Sequence, residues 1–161
     1  MSKKIIILNG STRINGNTSS LVNEFTRGAE EIGCEVKIFQ LDKTNIHGCK
    51  GCFGGGKNIE SPCVQKDNMD KIYPVYREAD IVVLETPLYY CNFSGQLRTA
   101  FDRLFAVAEC DPNYQNLMNH LEWTELGHVL AGGVMKVGDI KGNSKLQDAY
   151  ELGKKVGNNS L

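Results

Sequence analysis

Lys4 to Leu8 is a β-branched, apolar run that stops at Asn9-Gly10-Ser11. Alternating apolar and polar residues mark a strand with one wet face, whereas a short continuous run bounded by a turn marks one buried on both faces, the habit of parallel sheets. Parallel neighbours need a crossover, usually a helix. From Thr18 onward, Leu21, Val22, Phe25, Ala29 and Ile32 recur at helical spacing up to Gly33, a stop signal, and Glu35 to Leu41 follows as a second strand. The order β-α-β predicts an α/β fold, a doubly wound parallel sheet with helices on both faces.

The rest of the chain extends that order. Asp42 to Lys66 is glycine-rich, holds three cysteines and lacks periodicity, so it is read as a long loop, a feature that compact domains use for function. Asp67 to Arg77 has helical spacing that Pro74 must shorten or kink. Ile81 to Glu85 repeats the first apolar run and ends at Thr86-Pro87, as a third strand does. Ser94 is placed to cap a helix whose inward stripe is Leu97, Ala100, Phe101, Leu104, Phe105 and Ala108. Asn113 to Glu125 reads as another helix, His128 to Val134 as a strand and Ser144 to Val156 as a closing helix. With 161 residues, 41% of them hydrophobic, and no internal repeat, residues 1–161 form one domain.

Composition narrows the function. A formal net charge of −1 gives no field for nucleic acid or an anionic membrane, so an anionic ligand has to be bound locally. No apolar run approaches a membrane span, and Met1-Ser2-Lys3-Lys4 leads into too few apolar residues for a signal peptide, which predicts a cytoplasmic protein. Six cysteines are too few for a disulfide scaffold and direct attention to redox or metal chemistry.

In a doubly wound sheet, ligands sit outside the carboxyl ends of the strands. The segment from Asn9 to Ser20 joins a strand to a helix there. Its glycines permit a tight turn, its hydroxyls and amides donate hydrogen bonds, and the helix start adds free N–H groups, which together make an anion cradle. It has neither the Lys-Ser/Thr of a P-loop nor the G-x-G-x-x-G dinucleotide fingerprint. Polar helix capping without a ligand is the plainer alternative. After the third strand, Tyr89, Tyr90 and Phe93 offer flat apolar surface and Asn92 a donor, suited to an aromatic heterocycle, although aromatics in such a loop also pack into cores. Cradle and platform together suggest a mononucleotide-like cofactor.

Gly10-Ser11-Thr12-Arg13 with Gly16-Asn17-Thr18, the cysteine loop from Cys49, Thr86-Pro87-Leu88-Tyr89-Tyr90, Phe101-Asp102-Arg103 and Tyr150-Glu151-Leu152-Gly153-Lys154 resemble, in this order, the NADPH-dependent FMN reductase and iron–sulfur flavoprotein group of flavodoxin-like proteins. The resemblance implies FMN, with Ser11, Arg13, Asn17, Thr18 and Ser19 at its phosphate and Pro87, Leu88, Tyr89, Tyr90, Asn92 and Phe93 bordering its ring. It implies an oxidoreductase taking electrons from NADPH or NADH and passing them to a small-molecule or protein acceptor, in a homo-oligomer. No catalytic side chain is expected, because positioning a flavin is the protein's main task. Asp102-Arg103 is read as structural.

The pattern departs from the family twice. Its iron–sulfur members carry a third cysteine where this chain has Gly55, leaving Cys49, Cys52 and Cys63 one ligand short of a four-iron cluster. A dithiol pair, half a zinc site and a loop of free thiols are the other readings, and no metal is assigned. The family also places an additional strand between the helix ending near Ala108 and His128, so the sheet is expected to be one strand short. An edge covered by a second subunit or residues lost relative to a parent chain are the alternatives. A non-enzymatic flavodoxin-type carrier and a fold that binds no flavin are the competing functions.

Overall fold

The computed structural model describes residues 2–56, 58–110 and 125–158. Three parallel strands, β1 (Lys4–Asn9), β2 (Glu35–Gln40) and β3 (Ile81–Glu85), form a sheet in the order β2-β1-β3, with Ile5 opposite Val36 on one side and Ile81 on the other. The helices are α1 (Asn17–Glu31), α2 (Met69–Glu78), α3 (Gly95–Arg103), α4 (Phe105–Cys110) and α5 (Lys145–Asn158), with a 3-10 turn at Leu41–Lys43.

Alternate side chains of β1 enter opposite cores, as strand geometry requires. Ile6 and Leu8 pack with Met69, Ile72, Tyr73, Leu97 and Ala100 of α2 and α3. Ile5 and Ile7 pack with Val22, Phe25 and Ala29 of α1 and Ala149 and Val156 of α5. Both faces of the sheet are therefore covered, and the continuous apolar run of β1 follows from that. Because β2 and β3 flank β1, its carboxyl end is the switch point of the fold.

Pro74 lies within α2, which still runs unbroken to Glu78. The stripe after Ser94 is carried by two helices, because short turns at Leu104 (Leu104 N to Phe101 O, Val107 N to Leu104 O, each 3.0 Å) separate α3 from α4. His128 to Val134 is not a strand. Gly127, at φ +150°, is pressed against α5, where an added Cβ would lie 2.7 Å from Leu152 Cδ1, and a turn with Gly133 at φ +74° ends the segment. Leu126 and Val129 pack on the α1/α5 core, so the apolar pattern there reports packing without pairing. The helix read at Asn113 to Glu125 falls almost wholly outside the described residues.

α1 and α5 cross in backbone contact. A Cβ on Gly153 would stand 2.1 Å from Phe25 O, and one on Gly28 2.1 Å from Tyr150 O. In a helix without such a contact, Gly→Ala stabilises by about 1 kcal/mol. Here Gly153→Ala is expected to destabilise by about 3 kcal/mol, because the helices must move apart. Urea denaturation checks the sign, and a stabilised variant would contradict the crossing.

Candidate functional site

The loop after β1 is shaped by its own backbone. Ser11 N–H donates to Asn9 Oδ1 (2.9 Å), Arg13 N–H to Ser11 Oγ (3.2 Å), and Ser19 Oγ to Arg13 O (3.0 Å). Gln40, at the end of β2, donates its amide to Ser11 O. Ser11 and Ser19 are buried, while Arg13 is exposed. α1 starts after Gly16 with no side-chain cap, so its first N–H groups remain available to an anion at the positive end of the helix dipole. Thr18 Oγ1 makes no hydrogen bond among the described residues. Asn17 is differently engaged: its amide donates to Lys136 O (2.9 Å) and accepts from Gly138 and Ile140 N–H, tying α1 to the loop before α5.

After β3, Tyr89 and Asn92 exchange backbone hydrogen bonds (3.2 and 3.0 Å) around Tyr90 and Cys91, whose φ values are +49° and +59°. Positive φ at both central residues is the type I′ turn that glycine or asparagine usually occupies. Holding Tyr and Cys there costs about 1–3 kcal/mol each and leaves Tyr90 fully exposed at the tip. Phe93 packs edge-on against Phe101, with ring centroids 6.4 Å apart.

Two hydrogen bonds join these loops. Gly10 N–H donates to Glu85 O and Ser94 Oγ donates to Gly10 O, both at 2.8 Å. Ser94 Oγ also accepts from Leu97 N–H and so caps α3. A Cβ on Gly10 would lie 2.4 Å from Ser94 Oγ and 2.7 Å from Leu97 Cβ, so only glycine permits this approach. One cleft of about 1490 Å³ results, lined by Ser11, Arg13, Asn17 and Thr18 on one side and by Pro87, Leu88, Tyr89 and Phe93 on the other. Ser19, Tyr90 and Asn92 lie outside its lining, Ser19 as a support and the other two in the turn. The cleft continues between β3 and residues 125–135, along the edge of β3 that pairs with no strand among the described residues.

Glu85 was not among the expected site residues, yet it lines this cleft, and burial alone pushes its carboxyl up to about 8. A charged residue ending an otherwise apolar strand is the signal for it in the sequence. Arg103 and Asp67 form a buried ion pair at 2.7 Å. Burial opposes the charge on each, but hydrogen bonds more than offset it: Asp67 is held below the usual carboxylate range by Arg103 and by the N–H groups of His47 and Met69, and Arg103 stays charged. Asp102 pairs instead with Arg98, so both members of Asp102-Arg103 are structural.

A family model described as NADPH-dependent FMN reductase matches residues 3–139. The chain belongs to that family. An iron–sulfur flavoprotein of Archaeoglobus fulgidus is 34% identical over 101 residues, 63% of this chain and 45% of the relative. An FMN-dependent NADPH-azoreductase of Staphylococcus saprophyticus is 32% identical over 101 residues, 63% of this chain and 52% of that protein. The chain thus spans about half the length of the curated relatives it matches. The solved structure of the NAD(P)H:quinone oxidoreductase from Methanothermobacter marburgensis superposes with a TM-score of 0.65 at 16% identity, covering 100% of both chains, and supports the flavodoxin-like fold.

The donor set fits FMN: an uncapped helix start and an exposed arginine for a phosphate, with a tyrosine-bearing loop joined to them by Ser94. It does not fit a four-iron cluster. Gly55 replaces one thiolate, and no group of three or more His, Cys, Asp or Glu side chains is placed to hold a metal ion among the described residues.

Proposed function

We propose that this chain is an FMN-dependent NAD(P)H oxidoreductase that passes electrons to a small-molecule acceptor, with the flavin held where the loops after β1 and β3 meet. The observation that carries the reading is the Ser94 bridge to Gly10, which puts the anion cradle and the aromatic loop on one cleft. FMN supplies the two-electron chemistry when bound, by accepting hydride from a nicotinamide.

The chain's own residues bind and orient. Arg13, Thr18 and the first N–H groups of α1 take the phosphate, Ser11 and Ser19 keep that loop in shape, and Asn17 anchors the loop before α5. Pro87, Leu88 and Tyr89 border the ring, Phe93 props the loop from the core, and Asn92 closes the turn that presents Tyr90. Apolar side chains exposed on several loops of the cleft, Leu88, Tyr89, Leu130 and Met135, support a homo-oligomer in which a second copy covers its mouth. Free thiols at Cys34, Cys49, Cys52, Cys63 and Cys91 support a reducing, cytoplasmic setting, and no helix among the described residues is long and apolar enough to cross a membrane.

Fluorescence titration of FMN into purified protein, followed by NADPH and NADH oxidation with a soluble quinone, tests the reading. Stoichiometric quenching with quinone-dependent turnover is expected. Absence of binding overturns the site, and binding without nicotinamide turnover overturns the enzyme in favour of an electron carrier.

A further inference from the structure

Cys49, Cys52 and Cys63 line a second cavity of about 30 Å³, together with Phe53, Arg103 and Phe105. That volume is about the share of one water molecule, or an oxygen atom with room to spare. Arg103 is buried, and four of its contacts are used: one nitrogen reaches His47 O and Asp67 Oδ2, the other Gln65 O and Asp67 Oδ1. Its Nε–H has no partner among the described residues. A buried charged donor left unmet is rare and points to an acceptor that arrives in another state of the protein. The Cys63 thiol lies against the Tyr73 hydroxyl and within electrostatic reach of Arg103. Cys52 Sγ is near Val64, the neighbour of Cys63, because a Cβ on Gly54 would touch both, at 3.5 Å from the sulfur and 3.1 Å from Val64 Cγ1.

We propose that Cys63 is a site of reversible oxidation by peroxide, at which the sulfenate oxygen enters this cavity and accepts the Arg103 Nε–H, and Cys52 then resolves it to a disulfide. In the first step the Cys63 sulfur attacks hydrogen peroxide, an S–O bond forms, the O–O bond breaks, and one water leaves; sulfur is oxidised by two electrons and peroxide is reduced. In the second step the Cys52 sulfur attacks the Cys63 sulfur, an S–S bond forms, the S–O bond breaks, and its oxygen leaves as a second water. Two thiols and one peroxide become a disulfide and two waters, and a thiol reductant restores the start. The device uses the cysteine loop without a cluster and does not depend on the flavin reading.

Cys34 is the internal control. It is 9% exposed, as Cys63 is, but it is packed beneath Gly157 and burial pushes its thiol up. The full chain is treated with stoichiometric hydrogen peroxide in the presence of dimedone, and labelled peptides are quantified by mass spectrometry. Labelling at Cys63 is expected to exceed that at Cys34 by about tenfold, because Cys63, unlike Cys34, lines a cavity that can take the sulfenate oxygen. Without dimedone, a Cys52–Cys63 peptide pair is expected, and Cys52→Ser should raise the Cys63 adduct. Labelling that follows exposure alone, confined to Cys49, Cys52 and Cys91 with Cys63 no higher than Cys34, overturns the proposal. A Cys49–Cys52 disulfide in place of the Cys52–Cys63 pair overturns the resolving step.

Discussion

Glu85→Gln is expected to make the protein more stable at pH 8 and to flatten its stability between pH 5 and 8. The carboxyl titrates near 8 when folded, because burial at the end of β3 disfavours its charge, and near 4.5 when the chain is unfolded. Between those values the folded state binds more protons than the unfolded one, so the contribution of Glu85 is fully present below about pH 4.5 and is lost as pH rises toward 8. At about 1.4 kcal/mol per unit, and allowing for local relaxation, the loss across the window is about 3 kcal/mol. For a domain of this size that is about 10 °C in melting temperature. Other shifted groups act outside the window: Asp67, whose carboxyl is lowered, acts below it, and Cys34, whose thiol is raised, acts above it. Thermal melts of both proteins from pH 5 to 9 check this, and parallel slopes would remove Glu85 as the cause.

Arg13→Ala combined with Thr18→Ala is expected to weaken FMN binding by about 100-fold while leaving the melting temperature within a few degrees. Hydrogen bonds to a charged group contribute about 1.5–3 kcal/mol each, and the two side chains supply at least one such bond to a phosphate apiece. The fold should tolerate the change because the loop is held mainly through the backbone of residue 13, which Ser11 and Ser19 grip, while the Arg13 side chain makes only a long, exposed hydrogen bond to Met135 O (3.5 Å). Riboflavin, which has no phosphate, provides the contrast: its affinity should be the same for both proteins. An unchanged FMN affinity would place the phosphate elsewhere, and an equal loss for riboflavin would mean that the loop had collapsed.

Asn17 shows where residue type ceases to specify role. The family resemblance implies a phosphate contact for Asn17, and the structure also gives its amide a structural role on residues 136–140, more than a hundred positions away. The same limit applies to Arg103, whose partner is Asp67 and not its neighbour Asp102. His128 to Val134 has the apolar content of a strand, but strand identity requires a partner at hydrogen-bonding distance, and the cleft lies between this segment and β3.

Local physics was legible in the sequence. The buried β1 and the half-buried β3 were both marked by unbroken apolar runs, α1 by its periodicity and Gly33, α3 by the Ser94 cap, and the two candidate loops by their composition after strand ends. These depend on contacts between near neighbours, which spacing encodes. The tertiary structure alone decided that Ser94 and Gly10 join the loops, that Glu85 is half-buried in the cleft they form, that Gly28 and Gly153 let α1 and α5 touch, and that Arg103 Nε faces no partner among the described residues. Each of these depends on distances between residues far apart in the chain, set by how the helices pack on the sheet, and no local pattern of residues carries such distances.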